Sequence, residues 1–308
     1  MCIIEGKFKP NQQKMESSFL SAVVLPFSLA LIMIGIGLEL HLSDFKYLVT
    51  KPKPAIAGLL AQMVLLPLIG IAVGMYIFDF GNPYIGAGFI IITLAPGGVT
   101  SNLYTLLSKG DLALSVTLTA AVSIVTPIWM PFAASIVLNS IAETKAIELD
   151  FLKTFLELFI ISIIPITIGM IINAKKHNWS LALRKPVKIL STIFLFLIIA
   201  ALVAKNKEVL IDNAATVGVA SFALVIFTFI GGYLVARLFA TTPAQARTIT
   251  FEVGIQNGTL ALLITATILA IPEMTLAPVF YSLIMFVVGF VVLWMFNKFK
   301  SSADTELK

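Results

Sequence analysis

The chain has 308 residues, of which 59% are hydrophobic and 12% are Asp, Glu, Lys or Arg. An ordinary soluble domain is about 25% charged, and 21 basic plus 16 acidic side chains cannot cover the water-facing surface of a chain this long. The medium that fits the sequence is lipid. The single cysteine, Cys2, excludes an internal disulfide framework, a cysteine metal site and a paired thiol switch. His41 and His177 both sit among charged residues in predicted connections, so an intramembrane zinc site or Ser/His dyad has no material. An intramembrane hydrolase is set aside on that ground.

A helix needs about 20 apolar residues to cross about 30 Å of hydrocarbon. After a polar tail, residues 1–18, the first such run is 19–40; it lacks a small-x-small exit and reads as a retained helix rather than a cleaved signal. Runs 54–78, 84–107 and 112–138 follow, then 151–173, 187–204, 214–239, 249–271 and 276–296, which makes nine. The longest connection predicted between runs is 174–186, too short for a separate soluble domain. The predicted class is therefore all-α, a polytopic membrane protein of about nine transmembrane helices.

Lys and Arg fix the predicted orientation. One set of connections, with the C-terminal tail 298–308, holds fourteen of them, including Arg184, Lys185 and Lys188; the other set, with the N-terminal tail, holds six. The C-terminus is expected to be cytoplasmic and the N-terminus outside, which places the protein in the plasma membrane. The net charge of +5 is then a topology signal and not a sign of nucleic-acid binding.

Two stretches inside apolar runs are out of character, Ala95-Pro96-Gly97-Gly98-Val99-Thr100-Ser101-Asn102 and Phe251-Glu252-Val253-Gly254-Ile255-Gln256-Asn257-Gly258-Thr259. Pro96 removes a donor and the glycines lower the cost of leaving helical geometry. Unwound backbone at membrane depth is tolerated only inside protein or along a wet cavity. The breaks occupy corresponding places in two groups of three runs and would cross the bilayer in opposite directions, the pattern of an inverted repeat around a binding site.

Glu252 is the costliest residue, since a mid-membrane carboxylate costs about 2.5 to 3.5 kcal/mol on insertion scales. Arg247 is the nearest cation in its run, so a bound cation is a better counter-charge than a salt bridge. Oxygen donors are available in its own break, Gln256 and the carbonyls of Val253 and Ile255; the first break adds Ser101 and Asn102, the run after it Ser115 and Thr119 four apart on one helix face, and the run before it Gln62 ahead of Pro67. Hard cations such as Na⁺ take such ligands. Taken singly, Ser115 and Thr119 read as packing residues. Glu157 reads as snorkelling or pairing with Lys153, Glu39 as interfacial beside His41, and Trp129, Trp179 and Trp294 as anchors.

Three further segments, Gly35-Ile-Gly-Leu-Glu-Leu40, Ser43-Asp44-Phe45 and Lys109-Gly-Asp-Leu-Ala-Leu-Ser115, complete a likeness that 95–102 and Glu252-Val-Gly-Ile-Gln-Asn257 also carry. From about Leu25 to Phe296 the chain resembles the bile acid:sodium symporter family, in a nine-helix form. The resemblance implies two inverted repeats with two broken, crossing helices. It implies a core domain over 54–138 and 209–297 and a panel domain over 19–50 and 151–206 that rocks against the core. It implies a first sodium site at Ser101, Asn102, Ser115, Thr119 and Glu252, and a second at Gln62, Glu252, Val253, Ile255 and Gln256. Substrate contacts are implied at Thr100 and Asn257, and Val99 stands where the family often has threonine. The expected activity is symport of an organic anion, a bile acid or a smaller carboxylate such as pantoate, with two Na⁺. A proton-coupled or uniport exporter of the same fold is the alternative, with Glu252 as proton carrier. A related arsenite-type pump would want an intramembrane thiol, and Cys2 lies in the tail.

Overall fold

The computed structural model describes residues 23–141, 150–205 and 207–298. Among these the backbone is helical throughout, apart from short connections and one isolated antiparallel bridge between Gly97 and Gln256. In chain order the helices are α1 Leu25–Glu39, α2 Leu42–Thr50, α3 Pro52–Ile77, α4 Pro83–Leu94, α5 Val99–Leu107 and α6 Leu112–Ile141. They continue as α7 Phe151–Lys175, α8 His177–Lys205, α9 Lys207–Leu238, α10 Pro243–Gly254, α11 Gly258–Ile268 and α12 Pro272–Lys298. Six of them, α3, α6, α7, α8, α9 and α12, are long and apolar enough to cross a bilayer. A seventh path is α1 with α2, bent by 79° where Leu40 becomes extended. The other two apolar runs are the broken ones, α4 with α5 and α10 with α11, so the chain is a polytopic membrane protein.

Local chemistry explains most of the boundaries. Asn82 caps α4, its Oδ1 accepting from the Tyr84 amide at 2.9 Å, with Pro83 at the first helical position. Thr242 and Gln245 form a capping box at the start of α10. In α3 and α7 a wide, π-type turn, Ala61–Leu65 and Phe159–Ile163, immediately precedes Pro67 and Pro165. Each proline lacks a donor and crowds the carbonyl four residues back, and the wider turn absorbs both effects without breaking the helix.

Residues 174–186 are not a loop: α7 runs to Lys175, and α8 starts at His177 and continues through Pro186. A positively charged, Pro-containing segment looked like a connection, but Pro186 lies inside α8, where it forgoes one helical hydrogen bond without ending the helix. The result is that Arg184 and Lys188 ride on a helix and not in a cytoplasmic loop. The tail 1–18, the connection at 142–149 and the C-terminal tail from 299 lie outside the described residues.

Helices α1, α7 and α8 pack on one another. The α1–α7 approach is close because Gly37 and Gly169 face each other, and a Cβ on either would strike the partner's backbone. Helix α9 lies along α10 and α12, α12 along α4, and α10 touches both α5 and α6. The element order α3, α4/α5, α6 thus recurs as α9, α10/α11, α12. Outward faces carry large apolar side chains such as Ile128, Phe132, Phe222 and Leu234, as a lipid-facing surface requires. Inside, Phe251 and Tyr281 are fully buried beside the broken runs, Phe251 against Tyr104 and Tyr281 donating to the Gly254 carbonyl at 3.0 Å.

Candidate functional site

The breaks cross. Helix α4 ends before Pro96, as the residue ahead of a proline avoids helical backbone, and Ala95 and Gly98 are extended. Opposite, Ile255 leaves α10 in an extended conformation. The Gly98 amide donates to the Ile255 carbonyl at 3.3 Å and the Asn257 amide to the Pro96 carbonyl at 2.9 Å. These two bonds satisfy backbone groups that lipid could not. Gly97 is required by proximity: a Cβ there would sit 2.7 Å from Glu252 Oε2 and 3.1 Å from Gln62 Nε2.

Glu252, in the last turn of α10, is fully buried. Three hydroxyls converge on its carboxylate: Ser101 Oγ at 2.6 Å and Ser115 Oγ at 2.5 Å on Oε1, and Thr119 Oγ1 at 2.6 Å on Oε2. Ser101 comes from the first turn of α5, while Ser115 and Thr119 stack one helical turn apart on α6. Two of these hydroxyls face a second acceptor as well. Ser101 Oγ lies 2.7 Å from the Gly98 carbonyl, and Ser115 Oγ lies 2.7 Å from Asn102 Oδ1. Five close oxygen–oxygen contacts therefore share three hydroxyl protons. A single proton on Glu252 would still leave one contact without a hydrogen, so the cluster is richer in lone pairs than in protons and suits a cation.

Just beyond, the end of α10 offers carbonyls with no helical partner. The Glu252 carbonyl accepts from Gln62 Nε2 and Gln256 Nε2, both at 3.2 Å, and the Val253 carbonyl from Gln256 Nε2 at 2.7 Å. Both glutamine Oε1 atoms are buried and unpartnered. Rotating either amide by half a turn would turn Oε1 toward those carbonyls, a group of oxygens that a cation would satisfy. The negative end of the α10 dipole adds to the same preference. Among the described residues no three His, Cys, Asp or Glu side chains gather. A cation here would have one carboxylate plus hydroxyl, amide and carbonyl oxygens, the donor set of an alkali ion.

All the residues singled out from sequence meet here. Ser101, Asn102, Ser115 and Thr119 surround the Glu252 side chain, and Gln62, Val253 and Gln256 surround its carbonyl. The Ile255 carbonyl is engaged in the crossing. Thr100 and Asn257 line a cavity of about 590 Å³, part of it open to solvent, between the crossing and the α1–α8 pair. Asn257 Oδ1 accepts from the Leu260 amide at 3.1 Å as the cap of α11, leaving Nδ2 buried without a partner. The N-terminus of α5 has no side-chain cap at all.

Three residues here escaped the sequence reading. Glu39 is not merely interfacial: its Oε2 accepts from Asn102 Nδ2 at 3.1 Å, which ties α1 to the Glu252 cluster. Arg184 and Lys188 line the cavity wall opposite the crossing. The available signal was the spacing Arg184, Lys188, Ser191, Leu195, one face of a helix, and it was masked by reading the segment as a charged loop.

The family model of the sodium bile acid symporter family matches residues 26–213. An uncharacterized sodium-dependent transporter of Bacillus subtilis is 30% identical over 75% of this chain and 70% of its own length. The "Probable sodium/metabolite cotransporter BASS1, chloroplastic" of Arabidopsis thaliana is 28% identical over 77% of this chain and 57% of its own. The hepatic sodium/bile acid cotransporter of Rattus norvegicus is 30% identical over 84% of this chain and 71% of its own. These matches, with crossed broken helices around a buried Glu252, place the chain in the sodium bile acid symporter family, whose members are sodium-dependent transporters of bile acid or metabolite type and not enzymes.

Proposed function

We propose that the protein is a symporter that couples two Na⁺ to the uptake of one organic monoanion, a bile acid or a smaller carboxylate such as pantoate. The observation that carries this reading is the surplus of close oxygen contacts over hydroxyl protons around Glu252. One Na⁺ lies among Ser101, Asn102, Ser115, Thr119 and Glu252. The other lies among Gln62, Gln256 and the carbonyls of Glu252, Val253 and Ile255. Because the ligands come from α3, α5, α6 and α10, the cations hold the two broken runs together. That fixes Thr100, Asn257 and the uncapped N-terminus of α5 for an anionic headgroup.

Helices α3 to α6 and α9 to α12 act as the core, and α1, α7 and α8 as the panel against which it moves, giving alternating access from either side. The chain lies in the plasma membrane, N-terminus outside and C-terminus in the cytoplasm, by its basic connections. With one net charge entering, a potential of 100 mV contributes about 2.3 kcal/mol. A tenfold Na⁺ gradient adds about 1.4 kcal/mol per ion, and together they support nearly four decades of accumulation.

The test is uptake of labelled pantoate and taurocholate into proteoliposomes under an inward Na⁺ gradient, against K⁺ as control. Wild type should accumulate at least one of them only with Na⁺, and Glu252→Gln should abolish that accumulation. Uptake that ignores Na⁺ but follows pH would replace the reading with proton-coupled or uniport transport.

A further inference from the structure

The cavity wall opposite the crossing carries charges for which coupling by Na⁺ gives no role. Arg184, Lys188, Ser191 and Leu195 fall on one stripe of α8 and all face the cavity. Arg184 is already engaged: Nε donates to the Leu38 carbonyl at 3.0 Å, and a second nitrogen lies 3.4 Å from Asn173 Oδ1. Those bonds fasten α8 to the end of α1 and to α7. Lys188, one turn further on, is partly buried, and among the described residues its ammonium has no hydrogen bond and no ion pair. Glu39 lines the same cavity, yet its carboxylate is hydrogen-bonded elsewhere, to Asn102.

We propose that Lys188 is the panel-side counter-charge for the transported anion, and that Glu39 stands in for that anion while the cavity is empty. The inference rests on the symport reading and specifies its substrate site. The charges of Lys188, Arg184 and Glu39 sum to +1, so the cavity is neutralised by one carboxylate or sulfonate. The facing wall is prepared for the same group, since Asn257 Nδ2 is an unpartnered buried donor and the first amides of α5 lack a side-chain acceptor. Ile32, Leu195, Met285 and Phe286 supply apolar surface beside these groups. The class selected is an amphipathic monoanion, its head held between Lys188 and Asn257 and its body against the apolar wall.

Lys188 also gives substrate a means of acting on the panel. An anion that pairs with Lys188 releases Glu39 from its electrostatic task while touching the core at Asn257, so it bridges the two groups of helices only when present. A neutral analogue would leave the Lys188–Glu39 relation as it was.

The experiment uses the full chain in proteoliposomes, with labelled taurocholate and pantoate, and ²²Na⁺ binding as a second readout. Losing one partly desolvated charge partner corresponds to about tenfold in affinity. Lys188→Gln should raise KM about tenfold with kcat and ²²Na⁺ affinity little changed, and Lys188→Arg should restore most of the loss. Glu39→Gln, which keeps an acceptor for Asn102, should lower KM. A KM in Lys188→Gln within about twofold of wild type, or one that rises together with a loss of ²²Na⁺ binding, would overturn the proposal. Should wild type take up neither anion, the symport reading fails by itself. Protection of Lys188 from an amine-reactive reagent by taurocholate or pantoate would still support the anion site, and unchanged labelling would refute it.

Discussion

Thr119→Val removes one hydroxyl from the Glu252 carboxylate at little change in side-chain size. In wild type that hydroxyl is 2.6 Å from Oε2, and both residues are fully buried. A hydrogen bond to a charged group is worth about 1.5 to 3 kcal/mol, and a buried acceptor left without a partner costs a similar amount. If Na⁺ binds here, the same oxygen is a ligand, so the half-saturating Na⁺ concentration should rise between about tenfold and a hundredfold. Thr126→Val is the matched control: it lies on the same helix, is also buried, and its hydroxyl bonds only to the Val122 carbonyl of its own helix at 2.7 Å. The assay is thermal unfolding of the purified protein titrated with NaCl at constant ionic strength. Thr119→Val should unfold earlier and need far more Na⁺ for the same stabilisation, whereas Thr126→Val should keep the wild-type Na⁺ dependence. Equal Na⁺ dependence in all three proteins would refute a cation at Glu252 and reduce Thr119 to a structural donor.

Gly97→Ala places a methyl group 2.7 Å from Glu252 Oε2, which forces the carboxylate or the crossing to shift. A cost of about 1 to 3 kcal/mol is expected from such overpacking, read as a lower unfolding temperature together with weaker ²²Na⁺ binding; a fall in stability alone would contradict the stated geometry. Asn102→Asp sets a third carboxylate between Glu39 and Glu252, to which Asn102 is linked on one side by its amide and on the other through Ser115. Na⁺-driven uptake should fall more steeply in this variant than in Asn102→Ala, measured in the same vesicles, because like charge is added as well as a hydrogen bond lost.

Much of the site was legible because membrane insertion makes polar residues informative. Each buried hydroxyl or amide must find a partner, so Glu252, Gln256, Asn102 and Gln62 stood out against an apolar background without any knowledge of contacts. The pairing of Ser115 and Thr119 needed only helical spacing. Glu39, Arg184 and Lys188 were not legible, for the opposite reason. Charges near the ends of apolar runs are common, and sequence cannot separate one that snorkels to water from one that turns into a cavity. The mistaken loop over 174–186 compounded this, since Pro186 interrupts the hydrophobic pattern but not the helix.

Sequence by itself determined the medium, the count of apolar runs, the places where two of them break, and the chemical types gathered near each break. Those follow from local rules: a proline without a donor, glycines without side chains, and a carboxylate too costly to leave alone in lipid. Only the tertiary structure decided that the breaks cross, since the Gly97–Gln256 pairing joins residues far apart in the chain. It alone decided that Glu252 has more oxygen neighbours than protons to share, and that a lysine counted as a mark of topology lines the cavity. Close approach between distant segments is set by packing, and no local pattern records it.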